Sequence, residues 1–242
     1  MKRYFIDKNK FDINDIILEG SEHNHIKNVM RTNVGDEVVV VCGDGFDYKC
    51  VVRAFDKNKT HLSLVEKVEN PNEPKHKLTV FQAMTKSDNM NLIVQKLTEL
   101  GATTLIPFEN AFVTAKDKAG KVDKLQAVSN QSIKQCRRGK ALDVENTLSF
   151  KQMLARLVDY DIVIFANEQE KQFSLDSANF PYENIAIIVG SEGGFSEQEI
   201  AQLNAIKNVK SISMGKRILR SETASIALAS VIMYLQGEWN YD

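Results

Sequence analysis

Two glycine-bearing segments in the C-terminal half carry the residue types from which a binding or catalytic site can be built. The first is Val189-Gly190-Ser191-Glu192-Gly193-Gly194-Phe195. Its adjacent glycines permit a backbone path closed to other residues, and successive N–H groups in such a turn can cradle a carboxylate or carbonyl oxygen. The second is Met214-Gly215-Lys216-Arg217-Ile218-Leu219-Arg220-Ser221-Glu222-Thr223-Ala224. Ser221 as a helix cap and Glu222 in the first turn are ordinary helix-start chemistry. Arg217 and Arg220 are not, because a cation beside a helix N-terminus is unfavourable without an anionic partner. A third segment, Lys86-Ser87-Asp88-Asn89-Met90, is followed by Lys96 and Glu99, for which a salt-bridged helix surface and a functional role weigh equally. Neither glycine segment is a GxGxxG or a GxxxxGK, so dinucleotide-binding and ordinary NTPase readings lose ground.

The elements that must position these segments alternate in the C-terminal part. Strands are predicted over 78–84, 103–108, 161–166, 185–189 and 209–213, with helices over 88–100, from the Ser149 cap, from the Ser196/Glu199 capping box, and from Ser221 onward. Each segment follows a strand, where open α/β sheets bind ligands. The pattern predicts an α/β domain with a mainly parallel sheet. The first 70 residues read differently. Strands over 3–6, 37–42, 48–55 and 61–68 surround one helix, with Ser21 as its cap and Ile26, Val29 and Met30 on one face. A small barrel follows. Asn70-Pro71-Asn72-Glu73-Pro74 is the best linker, which divides the chain into domains 1–72 and 73–242.

The chain has 242 residues, 43% apolar and 26% charged, with a net charge of −1, so it can bury a core and is neither a bulk-basic nucleic-acid coat nor a polybasic membrane binder. The N-terminus lacks a signal-peptide core and no stretch is apolar enough to span a membrane, which predicts a cytoplasmic protein. Cys42, Cys50 and Cys136 contain no CxxC pair, and His23 and His25 lack further ligands nearby, so no metal is expected. The near-neutral total conceals a basic stretch. Within 116–140, Lys116, Lys118, Lys121, Lys124, Lys134, Arg137, Arg138 and Lys140 face only Asp117 and Asp123. It can meet phosphate, although a solvated helix face is the commoner explanation of such a run.

In their order and spacing these segments resemble the RsmE family of 16S rRNA uridine methyltransferases, of the SPOUT superfamily. The resemblance spans nearly the whole chain. His25-Ile26-Lys27-Asn28-Val29-Met30-Arg31 with Gly35-Asp36 and Gly43-Asp44-Gly45 is similar to the family's PUA-like barrel. Lys86 to Met90, Gln95-Lys96, Glu99-Leu100-Gly101, Gln135-Cys136 with Arg138, and the two glycine segments are similar to its methyltransferase domain. Four positions depart from the family pattern: Ser191 and Leu142 stand where it has Pro, Lys134 where it has Glu, and Phe112 where an Arg is common.

The resemblance implies an N-terminal PUA-like barrel followed by a SPOUT α/β domain with a deep trefoil knot. It implies transfer of a methyl group from S-adenosylmethionine to N3 of a uridine in 16S rRNA, in a homodimer, without a metal; the assembled 30S subunit rather than free rRNA is the expected substrate, because a protein of little net charge gains little generic attraction and must rely on shape. A base must be unpaired or flipped for N3 to be reached. The implied cofactor pocket comprises Phe165, Ala166, Asn167 and Glu168, then Gly190, Ser191, Glu192, Gly193 and Gly194, then Met214, Gly215, Ile218, Leu219, Ser221, Thr223 and Ala224. Arg138 and Arg220 are the candidates for anchoring phosphate or stabilising charge on the uracil, and Glu192 and Glu222 for orienting the site or taking a proton. His25, Arg31, Lys86, Lys134, Arg137, Arg138, Lys140 and Arg217 are the expected RNA contacts. Ile226, Leu228, Ala229, Ile232, Met233 and Leu235 make the C-terminal helix a candidate dimer interface, with core packing as the other explanation. Three other functions compete: a methyltransferase of the same superfamily acting on 23S rRNA or tRNA, a non-catalytic ribosome-assembly protein, and a small-molecule α/β enzyme. The intact glycine segments favour the enzyme, and the barrel and basic segment disfavour the last.

Overall fold

The structure, a computed structural model, describes residues 1–113, 121–171 and 180–240. Lys116, Asp117 and Lys118 of the basic segment lie outside them. The chain forms two compact units. One comprises Met1–Glu73 and Asn130–Ala141, the other Pro74–Ser129 and Leu142–Asp242.

The first unit is a curled, open five-stranded sheet, a half-barrel, built from β1 (Lys2–Phe5), β2 (Ile16–Glu19), β3 (Glu37–Val41), β4 (Phe46–Phe55) and β5 (Lys59–Glu69) in the order β1-β3-β4-β5-β2. β1 pairs parallel to β3, and the other pairs are antiparallel. Alternation fills the concave face: Tyr4, Ile16, Leu18, Val38, Val40, Tyr48, Cys50 and Val52 form one core. The apolar run of β3 is buried on both faces, because Val39 and Val41 pack with Ile133.

Helix α1 (Gly20–Asn24) continues into a π-helical turn, His25–Val29. Two expectations fail here. Ser21 lies inside α1, whose cap is Glu19 with no side-chain bond, so the helix starts where β2 ends. Of the expected apolar face only Ile26 is buried; Val29 and Met30 are exposed, since the wider turn rotates them off the sheet. β2 was not foreseen, its alternation of Ile16 and Leu18 being too short to stand out.

The second unit is a parallel sheet covered on both faces. Its strands are β6 (Lys77–Ala83), β7 (Thr104–Glu109), β8 (Asp143–Val144), β9 (Leu148–Ser149), β10 (Ile162–Ala166), β11 (Asn184–Val189) and β12 (Val209–Ile212). Their order is β12-β10-β11-β6-β7-β8, with β9 also on β7, and every pair is parallel. Helices α2 (Ser87–Leu100) and α6 (Ser221–Leu235) pack on one face, with Met90, Ile93, Val94, Leu97, Leu228 and Ile232 against Val80, Ile164 and Ile187. Helices α4 (Phe150–Arg156) and α5 (Glu197–Asn204) pack on the other, with Met153 and Leu203 against Phe81, Phe165 and Ile188. Helix α3 (Lys121–Cys136) starts in this unit and ends in the first.

Local signals account for the helix ends. Ser149 and Ser196 each form a reciprocal capping box, with Gln152 and Glu199. Gly101 closes α2 at φ 99°, a left-handed position open to glycine. Lys96 and Glu99 form an i,i+3 ion pair at 2.9 Å, the surface pair that was one of the two readings.

Candidate functional site

The strand order gathers what the chain keeps apart. β12, β10 and β11 are neighbours, so the segments following them meet at one edge of the sheet although they lie about residues 167, 190 and 214 in sequence. Together they enclose a cavity of about 300 Å³. Of the sixteen expected cofactor residues, Ala166, Asn167, Glu168, Gly190, Ser191, Glu192, Gly194, Met214, Gly215, Ile218, Leu219, Ser221 and Ala224 line it. Phe165 does not; it is fully buried in the core, edge-on to Phe195 at 4.9 Å. Gly193 faces out and packs on Phe112, and Thr223 is exposed on α6. Sequence reasoning missed Val189, Phe195 and Ile200 among the lining, because apolar residues beside a core carry no distinguishing signal, while Lys216 lies within the expected Met214 to Leu219 loop.

Hydrogen bonds fasten the three loops. Asn167 donates from its backbone N–H to Ile212 O at 2.9 Å and from Nδ2 to Ser211 Oγ at 3.1 Å, tying the end of β10 to β12. Ser221 is not a cap: the cap position is Arg220, and the Ser221 hydroxyl donates instead to Gly190 O at 2.5 Å. That bond joins the start of α6 to the loop after β11. Asn110 Nδ2 donates to Gly194 O at 2.8 Å, and the Glu199 carboxylate accepts from Ala111 N–H at 2.8 Å while completing its capping box. The loop after β7 is thereby held to the glycine loop.

Glycine is required at two of these positions. A Cβ on Gly190 would lie 2.8 Å from Phe195 Cε2, and Gly194 has φ +67° with its Cβ direction 3.1 Å from Glu168 Oε1. Ser191 Oγ is buried and has no hydrogen-bond partner among the described residues. A polar atom of that kind at a cavity wall is matched to a ligand or water, since leaving it unpaired costs about 1–3 kcal/mol.

The rim is cationic. Lys216, Arg217 and Arg220 line the cavity and are exposed; the nearest carboxylate to Arg220 is Glu222, at 4.0 Å. Glu222 does not line the cavity, but its Oε2 is buried without a hydrogen bond among the described residues. Glu192 lines the cavity, is exposed, and accepts from Asn89 Nδ2 at 3.3 Å. Lys86, at the start of α2, is exposed and does not line it.

The remaining expected RNA contacts belong to the first unit. His25, Arg31, Arg137 and Lys140 are exposed there, His25 edge-on to Tyr4 at 5.7 Å. Arg31 and Arg137 have φ 47° and 63° and are the non-glycine residues with positive φ among the described residues. Two expected contacts are already engaged. Lys134 pairs with Glu22 at 2.6 Å, and Arg138, 3% exposed, pairs with Glu73 at 3.0 Å. Arg138 is therefore not among the groups brought to the cavity. Among the described residues no cluster of His, Cys, Asp or Glu is placed to hold a metal, and no helix is long and apolar enough to cross a membrane.

Residues 71–233 match the family model of the RNA methyltransferase domain, and residues 18–65 that of the RNA methyltransferase PUA domain. The chain is 33% identical to ribosomal RNA small subunit methyltransferase E of Bacillus subtilis, over 97% of this chain and 96% of that one. The chain belongs to the ribosomal RNA small subunit methyltransferase E family. Its member from Rickettsia conorii is 30% identical over 95% of this chain and 94% of that one. A solved methyltransferase E from Neisseria gonorrhoeae, bound to S-adenosyl methionine, superimposes with a TM-score of 0.83 at 23% identity, covering 97% of this chain and 98% of that one; it bears on the fold. The family's two domains, RNA methyltransferase and PUA, account for the parallel sheet and for the half-barrel.

Proposed function

We propose that this methyltransferase moves a methyl group from S-adenosylmethionine to N3 of one uridine of 16S rRNA within the 30S subunit. The observation that carries the proposal is the convergence of three post-strand loops on one cavity of about 300 Å³, the lower end of the size range for small-molecule sites. The residues fit the cofactor. The glycine loop offers backbone groups no side chain obstructs, Ser191 Oγ is a buried polar atom awaiting a partner, and Glu168 is an exposed acceptor for hydroxyl groups. Gly190 to Gly194 and Met214 to Leu219 would hold it. Bound there, it supplies an electrophilic methyl group.

This chain's own residues then manage position and charge. N3 of uridine is a poor nucleophile while protonated, so negative charge grows on the ring as the proton leaves. Arg217 and Arg220 at the rim stabilise that charge or hold the flanking phosphates. Glu192, exposed at the cavity wall, takes the proton; Glu222 holds Arg220. The first unit contributes Arg31, Arg137 and Lys140 to RNA. We read the enzyme as a cytoplasmic homodimer with the superfamily's knot; of the α6 residues expected at its interface, Leu228, Ala229, Ile232 and Met233 are buried in the core, which leaves the exposed Val231 and Tyr234 to make the contact.

The test compares purified 30S subunits with free 16S rRNA, both from a strain lacking the gene, in methylation with labelled S-adenosylmethionine. 3-Methyluridine in the 30S product is expected, with Arg220→Ala at least tenfold slower. Absence of 3-methyluridine from both substrates would overturn the assignment.

A further inference from the structure

Strand β6 reads Lys77-Leu78-Thr79-Val80-Phe81-Gln82-Ala83, and its one side-chain amide is wholly buried: Gln82 is 0% exposed. A buried amide is costly unless each of its groups is paired. Gln82 is paired on both sides. Nε2 donates to Ser221 Oγ at 2.9 Å and to Ala83 O at 2.9 Å, and Oε1 accepts from Ser225 Oγ. Ser225, also 0% exposed, lies 3.1 Å from Ser221 O, one turn back on α6. Ser221 Oγ, having accepted from Gln82, spends its single proton on Gly190 O. Gln82 is in register with Val189, the last residue of β11 before that glycine.

The consequence is directional. A hydroxyl has one proton and can rotate; the amide N–H of Gln82 occupies the acceptor side of Ser221 Oγ and leaves its proton to point at Gly190 O. The amide thus fixes the start of α6 against the loop after β11, two of the walls of the cavity, without lining the cavity itself. We propose that Gln82 is a positioning residue for the cofactor site, setting the Gly190 and Ser221 walls through a relay of three buried hydroxyl and amide groups. The proposal rests on the reading of this cavity as the S-adenosylmethionine site.

The experiment uses the full chain and three variants, Gln82→Met, Gln82→Glu and Ser225→Ala, none of which removes a group that lines the cavity. S-adenosylmethionine affinity is measured by calorimetry and turnover by methylation of 30S subunits. Gln82→Met should weaken cofactor binding at least tenfold and raise the KM for S-adenosylmethionine by the same factor, with kcat at saturation within threefold of the parent. Ser225→Ala should weaken binding about threefold, as the amide loses one anchor and keeps two. Gln82→Glu supplies a signature that loss of packing does not. Its protonated acid can donate to Ser221 Oγ as the amide does, while the carboxylate cannot, so affinity should rise toward the parent's as pH falls, against a flatter parent profile. Should Gln82→Met fail to fold, the other two variants decide. Binding within twofold of the parent in Gln82→Met, or a Gln82→Glu profile parallel to the parent's, would overturn the proposal. Hydrogen exchange without ligand separates it from the reading it rests on: faster exchange confined to residues 190–194 and 221–225 supports the relay even if the parent binds no S-adenosylmethionine, and unchanged exchange there refutes it.

Discussion

Replacing Gly190 with alanine adds one methyl group to the most crowded point of the cavity wall. The new Cβ would lie 2.8 Å from Phe195 Cε2 and 3.1 Å from Cδ2. Ordinary contact begins near 3.4 Å, so something must yield by about 0.6 Å. The Phe195 ring has little room to do so, being edge-on to Phe165 at 4.9 Å and stacked on Phe108 at 6.2 Å, both fully buried. The displacement therefore falls on the backbone of residue 190, whose carbonyl holds Ser221 Oγ. Overpacking of this kind costs about 1–3 kcal/mol, and strain of that size released by moving the loop off its binding geometry corresponds to roughly a 5- to 150-fold loss of affinity. Phe195→Leu removes the opposing ring atoms at the expense of some core packing, so the double variant should bind S-adenosylmethionine more tightly than Gly190→Ala alone. Calorimetric titration of the parent, both single variants and the double variant measures this coupling directly. Affinity within twofold of the parent in Gly190→Ala, or a double variant no better than it, would refute the steric account.

Two further outcomes concern the first unit. Glu73 accepts from Gly139 N–H and Lys140 N–H, each at 2.8 Å, and from buried Arg138 at 3.0 Å. Glu73→Ala removes this acceptor from two backbone N–H groups and from the guanidinium and should cost about 1–3 kcal/mol, read as faster hydrogen exchange across β3 but not β10. Equal exchange in parent and Glu73→Ala would contradict it. Burial, with Asp44 adding for the first, pushes the Cys42 thiol up to about 11 and burial pushes Cys50 up to about 12. An unfolded thiol ionises near 9.0, so above that pH the unfolded chain binds fewer protons than the folded one and stability falls as pH rises toward 12. At about 1.4 kcal/mol per unit, the urea midpoint should drop between pH 8 and 10.5, and Cys50→Val should flatten that drop; an unchanged slope would exclude Cys50 as its source.

The site was legible where it depends on backbone. Two adjacent glycines, a strand before them and a basic loop before a helix are visible in one dimension because glycine and helix-start preferences are local. The parallel sheet was legible for a similar reason, since alternating strand and helix patterns admit few arrangements. What escaped depends on partners distant in the chain. Ser221 has every local mark of a cap, yet its hydroxyl serves Gly190, 31 residues away, because β6 brings an amide to its other side. A glutamine inside the run Leu-Thr-Val-Phe-Gln-Ala was the available signal: a buried strand tolerates such a residue only when something pairs with it. The π-helical turn at His25–Val29 escaped because a single inserted residue shifts the apolar face without changing composition.

Charge shows the same division between what is local and what is not. The basic segment between residues 116 and 140 reads as six net positive charges, yet Lys134 faces Glu22 and Arg138 faces Glu73, carboxylates more than 60 residues earlier in the chain. The pairing of Lys134 with Glu22 makes that lysine an internal contact rather than a gain in phosphate affinity. Cations already paired in this way release few counterions on meeting a phosphate chain, so they add little to the salt-dependent part of binding. Lys124, Arg137 and Lys140 stay exposed, the last two flanking the paired Arg138, and the Glu73 carboxylate that neutralises Arg138 also binds the backbone of Gly139 and Lys140. One acid thus removes a charge from the surface and holds in place the backbone that carries the next, so a nearly neutral protein keeps a few exposed cations on a fixed backbone.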